Sequence, residues 1–226
     1  TARSYSWYYG ESFYTWTIHI PASRYNYFAT LPRDKPTPAD YIMSDRGRAE
    51  LELVIEDLIS LADSRNLNEN QRRDMVIAFV QSLPNNRWGA VVDYDEYPKY
   101  PIQTLYDGGG DSQDTAILLT ALLRLLGIEA SLLETPRHYA VVLPLTEADK
   151  NANKVYLYQK DGETLLKGNY LDENNNIRDY YHNNPGVLRN SYIYIESNIP
   201  GNPMGSMPLQ FRNAYIQSLY DINYRP

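Results

Sequence analysis

Along residues 13–20, apolar and polar positions alternate: Tyr14, Trp16, Ile18 and Ile20 fall on one face, Thr15, Thr17 and His19 on the other. A period of two predicts a half-buried strand, closed by Pro21. The proline- and charge-rich stretch from Leu31 to Pro38 reads as a loop. The period then changes. Leu51, Val54, Ile55, Leu58 and Leu61 recur at helical spacing and predict a helix over 46–63 with one buried face. A second helix is predicted from Glu69 to Leu83, with Asn68 as N-cap, Gln71 completing a capping box and Pro84-Asn85 as the stop. From Asn85 to Gln103 no period holds. This long irregular connection contains Trp88, several tyrosines and acidic residues, and loops of that length are often functional.

Three glycines, Gly108 to Gly110, precede a third helix with Asp111 as its N-cap and Asp114 at the third helical position. Ala116, Ile117, Leu118, Ala121, Leu122, Leu125 and Leu126 make it apolar around most of its surface, which predicts a central helix, and Gly127 is placed to cap its end. Strand patterns follow at Ala130–Leu133, at His138–Leu143 after the turn Thr135-Pro136-Arg137, and at Ser191–Glu196. Val155–Tyr158 and Thr164–Leu166 bracket Asp161-Gly162, a hairpin signal. The polar segment Asn169–Asn184 reads as a surface excursion, and Tyr215–Tyr220 as a short terminal helix. With no repeat or linker, the expectation is one α+β domain over 1–226. It divides into an N-terminal strand and helices (1–83), a core motif (100–145), and a sheet with its tail (154–226).

Composition narrows this picture. The 226 residues suffice for one sizeable core or two small ones, and a net charge of −7 without a basic block argues against nucleic acid as a partner. Twenty-two tyrosines against four phenylalanines provide amphipathic rings at edges and surfaces, suited to peptide or sugar contacts and equally to plain structural roles. The absence of cysteine excludes disulfides and thiolate metal sites. No run is long and apolar enough to be read as a membrane span, and no secretory apolar region opens the chain. A start at Thr1-Ala2-Arg3 is that expected of a trimmed or mature form. His19, His138 and His182 lack metal-ligand spacing. The acidic and amide run 172–176 lacks the glycine and terminal glutamate of a calcium loop, so a solvated loop is expected there. The glycine run lacks a following Gly-Lys-Ser/Thr and is not a phosphate loop. Neither a metal nor an organic cofactor is called for.

Three residues can be assembled into a chemical unit: Ser112 at a helix start, His138 opening a strand, and Glu196 ending another that can neighbour it. A nucleophile, a base and a carboxylate that orients the base make a catalytic triad, and the helix dipole favours negative charge at residue 112. The same residue types also serve as helix cap, structural strand histidine and solvated strand end. Sulfur suits the position better than oxygen. A thiol at a helix N-terminus beside an imidazole ionises readily, whereas a serine hydroxyl keeps its proton until a base removes it during attack.

The motifs Tyr100-Pro101-Ile102-Gln103-Thr104-Leu105, Gly110-Asp111-Ser112-Gln113-Asp114-Thr115-Ala116-Ile117-Leu118-Leu119 and Leu122-Leu123-Arg124-Leu125-Leu126-Gly127 resemble the transglutaminase-like superfamily, in particular its prokaryotic, largely archaeal branch. The family pattern is Pro-x-Glu-Thr-Leu, a glycine run, Gly-Asp-Cys-x-Asp-x-x-x-Leu, a leucine-rich helix ending in Gly, and a histidine opening a strand. Phe79–Leu83 and Tyr192–Glu196 with the Pro-Gly tail also look like that branch, so the resemblance spans most of the chain. It implies a papain-like fold, helices on an antiparallel sheet, and a cysteine-protease or acyltransferase chemistry on peptide or protein amides. Carried over by position, Ser112 is the nucleophile site, His138 the base and Glu196 the third member. Gln81 or Trp88 is a candidate oxyanion donor, with helix-end bonding and loop packing as their structural alternatives. The branch also implies an extracellular or cell-surface setting.

Two residues depart from the pattern. Gln103 stands where the family has Glu, and Ser112 where it has Cys. The protein is either naturally inactive, or uses serine, or carries a serine introduced at a cysteine position; with Asp111, Asp114 and His138 retained, introduction is the favoured reading, and the chain is expected to be nearly inactive as it stands. The alternative is a naturally non-catalytic peptide- or envelope-binding module on the same fold.

Overall fold

The computed structural model describes residues 2–42, 44–84, 97–144, 156–160, 164–168, 191–211 and 217–220. They form helices and antiparallel sheets, an α+β composition. By contacts the chain groups into two compact units, 1–128 with 197–201, and 129–196 with 202–226.

The first unit opens with a hairpin of β1 (Ala2–Tyr9) and β2 (Ser12–His19), in antiparallel register with Tyr5 opposite Trp16 and Trp7 opposite Tyr14. Those four rings are buried, as the alternation on β2 predicts, and three of them pack on Phe79. Aromatic pairs of this kind contribute roughly 0.5–1.5 kcal/mol each beyond the area they bury. β1 is absent from the sequence reading because exposed Tyr8 beside buried Trp7 blurs its alternation. Helices α1 (Ala22–Ala29) and α2 (Pro38–Ile42) are absent from it too. The first buries only Phe28 and so shows no apolar stripe; the second is too short to establish a period, and it begins at the proline that ends the expected loop.

Helices α3 (Arg48–Asp63) and α4 (Glu69–Gln81) lie where the spacing places them. The capping box between Asn68 and Gln71 is present in both directions, at 3.0 Å each way. Within the stretch expected to be irregular up to Gln103, Pro101 instead starts α5 (Pro101–Asp107), with proline at the first helical position where its missing N–H costs nothing. Helix α6 (Ser112–Leu125) packs against α2, α3, α4 and α5 and is buried along Thr115–Leu123, the central helix that its all-round apolar pattern predicts. Gly127, at φ 78°, ends it: its N–H donates to Arg124 O and the next N–H to Leu123 O.

The second unit is a six-stranded antiparallel sheet in the order β6-β5-β7-β4-β3-β8. The strands are β3 (Ser131–Thr135), β4 (His138–Pro144), β5 (Tyr156–Lys160), β6 (Thr164–Gly168), β7 (Ser191–Ile195) and β8 (Ser218–Tyr220). β5 and β6 pair as the hairpin signal predicts; the Asp161-Gly162 turn itself, like the 169–184 excursion, lies outside the described residues. The expected terminal helix is overturned where it is described. Residues 218–220 are a strand paired with β3, and Leu219 packs on a core of Leu133, Ala140, Val142, Tyr194 and Met207. Apolar residues three and four apart suggest a helix, but the open edge of β3 offers backbone partners and an apolar face that a short helix lacks. Among the described residues, no helix is long and apolar enough to cross a membrane.

Candidate active site

The start of α6, which carries the predicted nucleophile position Ser112, is built in the first unit largely by local bonds. Gly108 closes α5 with φ 84°, and Gly109 follows at φ 150°. A side chain on Gly109 would strike the Pro84 carbonyl, and one on Gly110 would strike Asp114, so the loop admits only glycine at close quarters. Asp111 then caps α6: its Oδ1 accepts from Gln113 N at 2.8 Å and Asp114 N at 3.1 Å, while Asp114 Oδ2 accepts from Asp111 N at 3.3 Å. This is the reciprocal box read from Asp111 and Asp114. Ser112 is the first helical residue and is buried. Aligned peptide dipoles place positive potential there, which favours an anion.

Beneath the loop sits an ionic cluster that the sequence reading does not find. Lys99 is buried, with Nζ 3.2 Å from Asp107 Oδ2 and 3.6 Å from Asp114 Oδ2, and it donates to Gly109 O at 3.4 Å. Its backbone N donates to Asp114 Oδ1 at 2.9 Å. Burial, aided by the Asp111 charge and opposed by Lys99, pushes the Asp114 carboxyl up to about 6. Thr115, one turn into α6, donates to Asp111 O at 2.9 Å and shares a bond of 3.0 Å with Ser197. Gln81, a candidate oxyanion donor, is the last residue of α4 and is buried; the chain that follows it runs against Gly109 through Pro84. Trp88 lies outside the described residues.

His138 and Glu196, the predicted base and its carboxylate, are brought together in the second unit by strand register. β4 pairs with β7 (Val141 opposite Ile195, Val142 opposite Tyr194), the neighbour relation that the triad requires. His138 opens β4 after the Pro136-Arg137 turn, where Arg137 adopts φ 63°. Its Nε2 lies 3.0 Å from Glu196 Oε2, and both side chains are buried. Two further residues complete this half. Tyr194 donates its hydroxyl to the same Oε2 at 2.7 Å, with its oxygen 3.4 Å from His138 Nε2. Phe211, in a 3-10 turn at Leu209–Phe211, stacks flat on the imidazole with centroids 3.7 Å apart and planes at 6°. Burial and the Glu196 charge raise the Tyr194 hydroxyl far above its ordinary range, so it remains a donor.

The second imidazole nitrogen decides what the pair can do. His138 Nδ1 is buried and has no hydrogen-bond partner among the described residues. With Nε2–H given to Glu196, Nδ1 carries the lone pair, as a general base requires. Tyr194 could have been found from the sequence, since the strand 191–196 sets it on the same face as Glu196. Phe211 carries no such signal, because it reaches His138 through the tail, which the bond from Gly205 N to Tyr194 O (2.7 Å) ties to β7.

Among the described residues, no group of three or more His, Asp or Glu side chains is arranged to hold a metal ion. No family model matches the chain, and neither a curated protein nor a solved structure matches it.

Proposed function

We propose that this chain carries the scaffold of a transglutaminase-like thiol hydrolase or acyltransferase of papain-like fold, acting on amide bonds of peptides or proteins. Residue 112 is the nucleophile position, His138 the base, and Glu196 the carboxylate that orients it. The observation that carries this reading is the His138–Glu196 pair, with Nε2 engaged and a buried Nδ1 left open to take a proton. The capped, buried start of α6, bearing residue 112 where a dipole favours negative charge, supports it.

In the proposed reaction a thiol at 112 gives its proton to His138 Nδ1, and the sulfur attacks the amide carbonyl carbon. The tetrahedral intermediate collapses as the C–N bond breaks, and the imidazolium returns the proton to the departing amine. Water or a second amine then attacks the thioester, again through Nδ1, giving hydrolysis or transfer. The Glu196 carboxylate orients His138 and stabilises the imidazolium formed in each step. Gln81 or Trp88 is the candidate donor to the oxyanion. With serine at 112 the hydroxyl keeps its proton and the scaffold is nearly inactive.

The test is Ser112→Cys, followed by mixing with an activated peptide amide and measuring burst release. The reading predicts about one equivalent of amine per chain in the burst, and none from the serine form. A folded Ser112→Cys protein that neither bursts nor acylates sinks it.

A further inference from the structure

We propose that Tyr194 is a positioning residue for His138: by donating to Glu196 Oε2 it holds that oxygen as the acceptor of the His138 Nε2–H and so keeps Nδ1 unprotonated. This rests on the reading of His138 as the base.

Two donors meet on a single buried oxygen. Oε2 lies 2.7 Å from the Tyr194 hydroxyl and 3.0 Å from His138 Nε2, so it accepts on both sides. Tyr194 reaches Nε2 only at 3.4 Å, a poorer bond than the one to the carboxylate, and so does not compete for the nitrogen lone pair. The other tautomer would put a proton on Nδ1, which has no partner among the described residues, and would set the Nε2 lone pair against Oε2. Three buried groups thus agree on one arrangement. A carboxylate is soft about its terminal torsion, and the tyrosine hydroxyl is an anchor that restricts this freedom at Oε2. Phe211, stacked on the ring, fixes the imidazole plane but offers no proton, so tautomer choice falls to the tyrosine and the carboxylate.

The experiment uses the chain as it is, with Ser112, so that it does not depend on catalysis. Long-range proton–nitrogen spectra of the 15N-labelled protein report which ring nitrogen bears the proton. There are three histidines, and His19→Gln and His182→Gln variants leave the His138 signal. Above the ordinary imidazole range the proposal expects the proton on Nε2 and none on Nδ1, and a cross-peak between that proton and a slowly exchanging Tyr194 hydroxyl. A proton on Nδ1, or no such cross-peak, overturns it without any variant of Tyr194. Tyr194→Phe is then expected to move roughly a tenth or more of the ring to the Nδ1–H form; an unchanged spectrum in a folded variant overturns the proposal. In the Ser112→Cys background the same change should lower kcat about tenfold with KM unaltered. If Ser112→Cys shows no acyl chemistry while the nitrogen spectra behave as stated, the acyl-transfer reading fails and the tautomer assignment stands.

Discussion

The start of α6 in the first unit and the His138–Glu196 pair in the second are held by different means. The start of α6 is fixed by bonds that span a few residues: Asp111 to Gln113 and Asp114, Asp114 back to Asp111, and glycines pressed against their near surroundings. Lys99, fifteen residues away at most, locks the cluster from below. The His138–Glu196 pair is separated by 58 residues and exists because β4 and β7 pair in one register. A one-residue slip would turn Glu196 to the opposite face and dissolve it. The start of α6 thus rests mainly on local chemistry, with the Thr115–Ser197 bond and Pro84 beside Gly109 as its longer-range contacts, whereas the His138–Glu196 pair rests on strand register.

The contrast can be broken most forcefully at the distant pair. In the Ser112→Cys background, Glu196→Gln should lower kcat/KM by roughly 10³–10⁴-fold, because an amide can donate to Nε2 and select the wrong tautomer. Steady-state kinetics measure it, and a loss under tenfold would mean the pair is structural. Next in size, Gly110→Ala should cost about 3 kcal/mol in urea unfolding, since its methyl group meets the Asp114 side chain. Wild-type stability there would show that the loop relaxes and is not locally locked.

The Asp114 carboxyl gives a pH signature of similar scale. Its pKa in the fold, about 6, stands above its ordinary value of 3.8. The stability it contributes is thus present in acid, below about pH 4, and is lost as pH rises through about 6. Between those values the difference in unfolding free energy between wild type and Asp114→Asn should change by on the order of 3 kcal/mol, with wild type losing ground as pH rises. Parallel curves would place the carboxyl in water. Smallest, Asp111→Ala should cost about 1 kcal/mol through loss of the cap while leaving the His138 tautomer untouched. A shift in the ring spectrum would break the independence of the two halves.

This difference in construction also explains what can be read from the chain beforehand. Asp111, Asp114, Asn68 and Gln71 announce their bonds within four residues, and the period of α3, α4 and α6 is intrinsic to each segment. Glu196 is reachable only as a conditional partner of His138, since nothing local sets the β4–β7 register. Tyr194 is legible in the alternation of its strand but carries no reason to be singled out until Glu196 is seen against it. β8 misleads because its strand character comes from the free edge of β3, Phe211 is placed by a segment remote from His138, and Lys99 stands in a stretch whose sequence shows no period. Helix α5 escapes because seven residues with an aromatic-rich preface show no stripe.

The proposed nucleophile position is tested most directly by the pH dependence of alkylation in the Ser112→Cys variant. Under the proposed function, the thiol at residue 112 should react with iodoacetamide at a rate that is already on its plateau near pH 7, with a midpoint well below the ordinary thiol value of about 8.5. His138→Ala in the same background should return the midpoint toward that value. A thiol at this position whose rate rises with an ordinary midpoint, unchanged by His138→Ala, would contradict the account.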